Sequence, residues 1–356
     1  MIAVVLAGGV GERFWPSSRR LRPKQLLDLT GRGSMLRLTL DRIEGLVAPA
    51  DTFVMTFSEQ RGAVLGELNG RLPEANVIGE PTIRNTAPSI GLSAALVRKL
   101  RGDRPMLVLP ADHLVDPADR FRTQAHAALR YVGGHDALFT FGIVPTRPDT
   151  GYGYIRLGKE RGQEESERVH AVAAFLEKPT AERARELMSE GCLWNSGMFA
   201  WRPGVVLDGI SAHQPELAAT LARIEAAVGT PNFDEVLKQE YPSAPSVSID
   251  YGLMEKARNV VVMRAEFSWN DVGSWEFVHD AGAPDADGNV GTGEHVVIDA
   301  KNNTVVAPGR MVGMIGVEGL VLVDAGDAIL VCRRDRVQDI KLIVAELKRR
   351  GRDDLV

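Results

Sequence analysis

The sequence predicts an α/β protein, with a mostly parallel sheet covered by helices on both faces and a small C-terminal β domain. Two observations predict it. Apolar strand-length runs alternate with amphipathic helix-length stretches through the first two-thirds of the chain, the order that gives Rossmann-like parallel sheets. Near Gly282 the pattern changes to short β-like runs punctuated by Gly, Asn and Asp. A length of 356 residues suits about two domains. The turn-rich stretch from Gly282 to Gly291 places the expected boundary, giving units 1–282 and 283–356.

The elements follow in order. Ile2 to Leu6 is an apolar run and reads as a buried strand. It feeds a glycine-rich turn, considered below. Thr52 to Phe57 reads as a second strand. Thr86 to Leu100 reads as a helix with Ile90, Ala94 and Val97 on one face. Met106 to Leu109 is a short buried strand between two prolines. Asp119 to Val132 carries Phe121, Ala125, Ala128 and Val132 at helical spacing, and Leu138 to Val144 is another strand. Ligands of such sheets bind beyond the carboxyl ends of strands. The glycine turn and Ala111-Asp112-His113 both sit at such ends. Past the boundary, β-like runs span His295 to Ile298, Thr304 to Ala307, Met311 to Val317, Leu320 to Val323 and Ala328 to Cys332. Their spacing is too irregular to predict a solenoid. Asp335 to Arg350 reads as an amphipathic helix with Val337, Ile340, Val344 and Leu347 inside; Lys348, Arg349 and Arg350 suit the negative end of its dipole. This unit is expected to serve structure or assembly, with no chemistry of its own.

Composition narrows the partners. Charged residues are 25% and hydrophobic residues 44% of the chain, and the net charge is −5. That balance argues against a general nucleic-acid binder. An anionic substrate then needs local cations or a metal. Cys192 and Cys332 form no CxxC unit or zinc-like spacing, as expected of free thiols in a reducing compartment. The N-terminus lacks the basic segment of a signal peptide. No apolar run approaches the roughly 18 residues of a membrane span. The expected location is cytoplasmic, with no membrane partner. The seven histidines include no HxH or HxxxH pattern, and no Ser-His-Asp motif occurs.

Residues 6 to 27 carry the strongest chemical signal. The first strand runs into Leu6-Ala7-Gly8-Gly9-Val10-Gly11-Glu12-Arg13-Phe14-Trp15-Pro16, and Pro23-Lys24-Gln25-Leu26-Leu27 follows. Without Cβ atoms, Gly8, Gly9 and Gly11 let backbone N–H groups approach an anion closely. Arg13 and Lys24 add two cations. A strand, a bare backbone turn and two cations suggest a polyphosphate site. It is not a Walker loop, because no Gly-x4-Gly-Lys-Ser/Thr run occurs. It is not the dinucleotide fingerprint either. Phe14 falls where the third glycine belongs, and only a stretched role for Asp28 could supply the acidic residue.

The segment resembles the signature of the nucleotidyltransferases that make nucleoside-diphosphate sugars, L-A-G-G-x-G-x-R-x-x-P followed by P-K. Its Arg-Phe-Trp-Pro-Ser-Ser-Arg and Pro-Lys-Gln-Leu-Leu details are most similar to those of the mannose-1-phosphate guanylyltransferases. Further motifs agree with that family from Met1 to about Trp275. Asp112 in Pro-Ala-Asp-His could be a plain turn or capping aspartate. Asp271, in Trp269-Asn-Asp-Val-Gly-Ser-Trp275, could belong to a capped turn. Both resemble the family's paired metal aspartates. Phe175-Leu-Glu-Lys-Pro179 places Glu177 beside Lys178, otherwise an ordinary surface ion pair. The resemblance makes it a sugar-phosphate clamp, with Asn195 of Trp194-Asn-Ser-Gly-Met-Phe199 as companion. Gly153 of Gly151-Tyr-Gly-Tyr-Ile155 resembles a backbone contact to the sugar. Asn85 and Thr86, in Glu80-Pro-Thr-Ile-Arg-Asn-Thr-Ala-Pro88, either help read base or ribose or cap the next helix. Asp250, in Ser248-Ile-Asp-Tyr-Gly252, either touches the sugar or belongs to a cap.

The resemblance implies the nucleotidyltransferase fold and one reaction. GTP and mannose 1-phosphate give GDP-mannose and pyrophosphate, by in-line attack with Mg2+ or another divalent cation such as Mn2+. Arg13, Lys24, Asp112 and Asp271 are the catalytic set, with the two aspartates holding metal. Leu6, Ala7, Gly8, Gly9, Gly11, Asn85 and Thr86 join Arg13 and Lys24 in binding nucleotide. Gly153, Glu177, Lys178, Asn195 and Asp250 bind the sugar phosphate. A homodimer is compatible with this reading. The rivals are another sugar 1-phosphate, such as a heptose or glucose, and a non-catalytic GDP-sugar-sensing subunit. The presence of Arg13, Lys24, Asp112, Lys178 and Asp271 disfavours the second. The roughly 70 residues past the boundary are too few for an added cupin-type isomerase.

Overall fold

A computed structural model describes all residues, 1–356. The chain begins with β1 (Ile2–Leu6), α1 (Met35–Arg42), β2 (Thr52–Phe57), α2 (Arg61–Leu68), β3 (Val77–Glu80), α3 (Thr86–Arg101) and β4 (Met106–Pro110). There follow β5 (Leu114–Asp116), α4 (Ala118–Gly134), β6 (Leu138–Ile143), β7 (Gly153–Glu164), β8 (Glu167–Glu177), α5 (Ala181–Ser189) and β9 (Leu193–Trp201). Next come α6 (Pro203–His213), α7 (Pro215–Ala227), α8 (Phe233–Glu240), β10 (Val260–Arg264), β11 (Ser268–Asn270) and α9 (Glu276–Ala281).

One nine-stranded sheet, in the order β3-β2-β1-β4-β9-β6-β10-β8-β7, forms the frame. The β3-β2-β1-β4 half is parallel, as the alternating pattern predicts. β9 enters antiparallel between β4 and β6, and β10 pairs parallel with β6. The β7–β8 hairpin completes the far edge. Side chains of β1 alternate between two cores, as a strand buried on both faces requires. Ala3 and Val5 join Leu36 and Leu40 of α1 and Phe121, Ala125 and Val132 of α4. Ile2 and Val4 join Ile90, Ala94 and Val97 of α3 and Ile210 and Leu221 from α6 and α7. Helices therefore cover both faces.

The C-terminal part contains β12 (Val290–Thr292), β13 (His295–Ile298), β14 (Thr304–Val306), β15 (Val312–Ile315), β16 (Leu320–Asp324), β17 (Ile329–Arg333) and α10 (Ile340–Arg349). Its β runs do stack as a solenoid, which their spacing did not predict. β12, β14 and β16 pair in parallel, and β13 pairs in parallel with β15. The rungs differ in length, so no fixed period marks them. Buried asparagines tie successive turns instead: Asn303 Nδ2 donates to Asn289 Oδ1 at 2.9 Å, and Leu320 N donates to Asn303 Oδ1 at 2.9 Å. The expected terminal helix is shorter than its pattern, because Arg334–Asp339 forms a 3-10 turn before α10 begins.

This part packs on the signature turn. Phe14, Trp15, Val272 and Trp275 share one small core with Val321, Val323, Leu330, Ile340 and Val344. No helix is long and apolar enough to cross a membrane.

Candidate active site

The site lies beyond the carboxyl ends of β1 and β4. Gly11 takes φ +72°, and a Cβ there would meet Lys24 Cβ at 2.4 Å. Only glycine lets the turn fold so closely over Lys24. The N–H groups of residues 8–11 make no hydrogen bond within the protein, leaving a row of donors for an anion. The carbonyls behind them are occupied. Leu6 O accepts from Ala111 N at 2.9 Å, and Ala7 O accepts from Gln25 Nε2 at 2.6 Å and Thr56 Oγ1 at 3.0 Å.

Lys24 is the junction. Its side chain is buried, and its ammonium donates to Asp112 Oδ2 and to Asp271 O, each at 2.7 Å. Three chain segments far apart in sequence meet at one charge. Burial, the largest single influence, pushes the Asp112 carboxyl up, but the Lys24 charge and the hydrogen bonds to the carboxylate together outweigh it. The net result holds Asp112 below the usual carboxylate range. His113 is pushed down to about 4, chiefly by burial, so it is neutral. Its Nδ1 accepts from Trp269 Nε1 at 3.1 Å. The turn is anchored from below by α1: Thr39 Oγ1 donates to Ala111 O at 3.3 Å and Arg42 Nη2 to His113 O at 2.6 Å.

Asp271 sits in a tight turn where Val272 takes φ +48°, an unusual conformation for a β-branched residue. Asn270 Oδ1 holds that turn by accepting from Val272 N at 2.7 Å. Tyr152 Oη donates to Asp271 Oδ1 at 2.6 Å. Burial and the Asp271 charge keep the phenol neutral. Sequence reasoning did not single out Tyr152, although it stands inside the Gly-Tyr-Gly-Tyr motif. Arg13 and Asp271 both border Gly273: a Cβ there would lie 3.5 Å from Arg13 Nη1 and 3.3 Å from Asp271 Oδ2. Arg13, Arg147, Tyr152, Asn270 and Asp271 line a polar cavity of about 530 Å3. Gln338 reaches it from the C-terminal part and accepts from Arg13 Nη1 at 3.1 Å.

The sugar-phosphate candidates form a neighbouring cluster. Gly153 begins β7 so close to Glu177 that a Cβ would meet its Oε2 at 2.4 Å. Lys178 Nζ lies 3.5 Å from Glu177 Oε1. Asn195 Nδ2 donates to Asp250 Oδ1 at 2.9 Å, and its Oδ1 accepts from Thr140 Oγ1 at 2.8 Å. Burial raises the Glu177 carboxyl, partly offset by Lys178. Burial and the Glu177 charge push Asp250 up to about 7. Gly197, at φ +70°, faces His113 and Pro110, so the β9 turn brings this cluster against the Asp112 turn.

Asn85 and Thr86 begin α3, and Thr86 meets the segment that carries Asp250. Asn85 Oδ1 caps α3 by accepting from Thr86 N at 2.8 Å, and Thr86 Oγ1 accepts from Ile249 N at 2.9 Å. Gly8 instead looks onto Phe57 and Glu80, whose nearest atoms lie 3.6 and 3.8 Å from where its Cβ would be.

Comparison with known proteins agrees with this geometry. Residues 2–288 match the nucleotidyl transferase family model, and residues 293–347 match the MannoseP isomerase/GMP-like β-helix domain. A mannose-1-phosphate guanylyltransferase of Escherichia coli K12 is 38% identical over 99% of this chain and 74% of its own length. One of Klebsiella pneumoniae is 40% identical over 99% and 75%. The alginate biosynthesis protein AlgA of Pseudomonas aeruginosa is 36% identical over 99% and 73%. A crystal structure from Thermus thermophilus, described as a mannose-1-phosphate geranyltransferase, superposes with a TM-score of 0.87 at 34% identity. It covers 98% of this chain and 99% of its own. By these matches over nearly its whole length, the chain belongs to the nucleotidyl transferase family, in its mannose-1-phosphate guanylyltransferase branch.

Proposed function

We propose that the chain transfers GMP from GTP to α-D-mannose 1-phosphate, giving GDP-mannose and pyrophosphate. The observation that carries this reading is Lys24, whose ammonium joins the glycine turn to Asp112 and Asp271 beside the Glu177–Asn195–Asp250 cluster. A phosphate oxygen of the sugar phosphate attacks the α-phosphorus of GTP. The bond from that phosphorus to the bridging oxygen breaks opposite the attack, and pyrophosphate leaves with its electron pair. The attacking oxygen is already ionised, so no general base is needed. Catalysis is positioning and charge stabilisation.

The chain's groups divide this work. The free N–H groups of residues 8–11 and the Arg13 guanidinium bind the triphosphate. Lys24 has three donors, two of them used by Asp112 and Asp271; the third meets charge developing on the α-phosphate. Lys178 orients the attacking phosphate, while Glu177, Asn195, Asp250 and the Gly153 backbone hold sugar hydroxyls. Asp112 and Asp271 fit Mg2+, a hard cation that takes one or two carboxylates and fills its remaining positions with phosphate and water. When bound, Mg2+ supplies positive charge shared between the two substrates.

Magnesium-dependent pyrophosphate release, measured across four nucleoside triphosphates and several sugar 1-phosphates, tests the reading. Release with GTP and mannose 1-phosphate alone is expected. Binding of GDP-mannose without release from any pair would instead favour a sensing subunit. Asp271→Ala is expected to abolish turnover while weakening GTP binding much less. Near-normal turnover by this variant in saturating magnesium would rule out the two-aspartate arrangement.

A further inference from the structure

The C-terminal part places one side chain against a cation of the site. Gln338 belongs to the 3-10 turn Arg334–Asp339, between β17 and α10. Val337 before it and Ile340 after it are buried in the core shared with Phe14 and Trp15 of the signature turn. Consecutive residues of a 3-10 turn stand a third of a turn apart, so with Val337 inward Gln338 emerges at the edge of that core. There its Oε1 accepts from Arg13 Nη1 at 3.1 Å. The two residues are 325 positions apart in the chain, and both line the polar cavity that Asp271 also lines.

An amide is the side chain suited to this contact. Arg13 is exposed, and an arginine that nothing holds spreads over many rotamers. A carboxylate would fix it but would also offset its charge and compete with a triphosphate for it. Glu276 and Asp280 line the same cavity, yet the side chain that accepts from Arg13 is the neutral Gln338. The amide oxygen orients the guanidinium and leaves its charge whole. An arginine has five N–H donors; this contact uses one and leaves the others for phosphate oxygens. Gly273 leaves room for the same nitrogen, since a Cβ there would lie 3.5 Å from Nη1.

We propose that Gln338 is a positioning residue for the reaction: it holds the Arg13 guanidinium ready for the triphosphate before substrate arrives. The inference rests on the nucleotidyl-transfer reading, in which Arg13 binds the triphosphate, and deepens it by giving the C-terminal part a share in the site. Charge fixed in advance lowers a barrier because nothing has to reorient while the reaction proceeds. Rate falls steeply when such a group is displaced even slightly, so Gln338 acts on turnover through Arg13 without touching substrate. Two further contacts fix the signature turn against the same part of the chain, Trp15 with Leu355 and Glu12 with Lys348. They keep Gln338 and Arg13 in register.

The test is a double-mutant cycle on Gln338→Met and Arg13→Ala. Met keeps the length of Gln and removes the acceptor. The cycle is read in pyrophosphate release, with the nucleoside triphosphate and sugar 1-phosphate that wild type uses best. It is read again in the Kd for that nucleotide by calorimetry, which needs no turnover. Gln338→Met is expected to lower kcat about 10-fold and to weaken the nucleotide Kd about threefold. The KM for the sugar phosphate should stay within about twofold of wild type, because only the Arg13 contact changes. In the Arg13→Ala background the same substitution should move kcat and Kd by less than about twofold. Gln338→Glu is closer to Gln in shape than Met, yet should weaken nucleotide binding more, because its charge offsets that of Arg13. Wild-type values in Gln338→Met overturn the assignment. So do equal losses in both backgrounds, or a Glu variant milder than Met, the marks of a merely structural role. A wild type that binds nucleotide but releases pyrophosphate with no pair overturns the nucleotidyl-transfer reading, while the Kd cycle still decides whether Gln338 acts through Arg13.

Discussion

Lys24 shows how one side chain sets the electrostatics of a site. Its ammonium keeps Asp112 ionised against burial and pins the Asp271 backbone. Lys24→Met keeps the length but leaves Asp112 in the cleft without its ion pair. Turnover is expected to fall by at least about 1000-fold, the scale of losing a preorganised charged donor, as read by pyrophosphate release. Glu80 behaves differently, because burial pushes its carboxyl up to about 7 despite the Tyr241 and Ser89 bonds. Between about pH 4 and pH 7 the folded protein keeps this proton while the unfolded chain loses it. Stability therefore declines as pH rises through that window and levels off above it. Glu80→Gln removes the cost, so its melting temperature should exceed wild type at pH 8, with the gap closing by pH 5. Motifs made Arg13, Lys24, Asp112 and Asp271 legible in the sequence, because each sits in a short, distinctive local run. The Tyr152 contact to Asp271 was not legible. It arises from burial and from a partner more than a hundred residues away.

At the scale of elements, the glycine turn shows why backbone shape matters as much as side chains. A methyl group on Gly11 would overlap Lys24 Cβ and sit at a positive φ. Gly11→Ala is expected to cost about 1–3 kcal/mol of stability and to lower turnover, both measurable by denaturant titration and pyrophosphate release. Strands β1, β2, β4 and β6 were readable from apolar runs, since they are buried on both faces, and α3 and α4 from their helical spacing, whereas the shorter α1, α2, β3 and β5 were not named. The β7–β8 hairpin was not, because Arg156, Lys159, Glu160 and Arg161 leave β7 without an apolar run to pair with the run Ala171–Leu176 of β8. The solenoid stayed hidden for another reason. Its turns are fastened by Asn289 and Asn303, residues that read as ordinary loop punctuation.

For the molecule as a whole, the C-terminal part braces the catalytic turn. Trp15 Nε1 donates to Leu355 O at 2.8 Å, Lys348 pairs with Glu12 at 2.6 Å, and Val344 is buried beside Phe14 and Trp15. Magnitudes rank these contacts. The Lys348–Glu12 pair is exposed at both ends, so Lys348→Ala should change stability by no more than about 0.5 kcal/mol. Val344→Asp puts a carboxylate into the core shared with Phe14, Trp15 and Ile340, and should cost several times more, about 3 kcal/mol. Its KM for GTP should also rise, since Val344 borders a cavity that Val10 and Glu12 of the signature turn also line. Thermal melts and kinetics of the two variants check that order.

The sheet order also bears on how the chain is made. β9 fills the place between β4 and β6, yet it is translated long after either of them. A ribosome that has delivered only the chain before Leu193 presents two strands with unpaired inner edges and no partner yet in existence. Such edges invite pairing with other chains. Nascent protein is thus vulnerable to aggregation until Leu193–Trp201 and then Val260–Arg264, which pairs the other edge of β6, have emerged, and a chaperone that shields strand edges would help it most up to that stage.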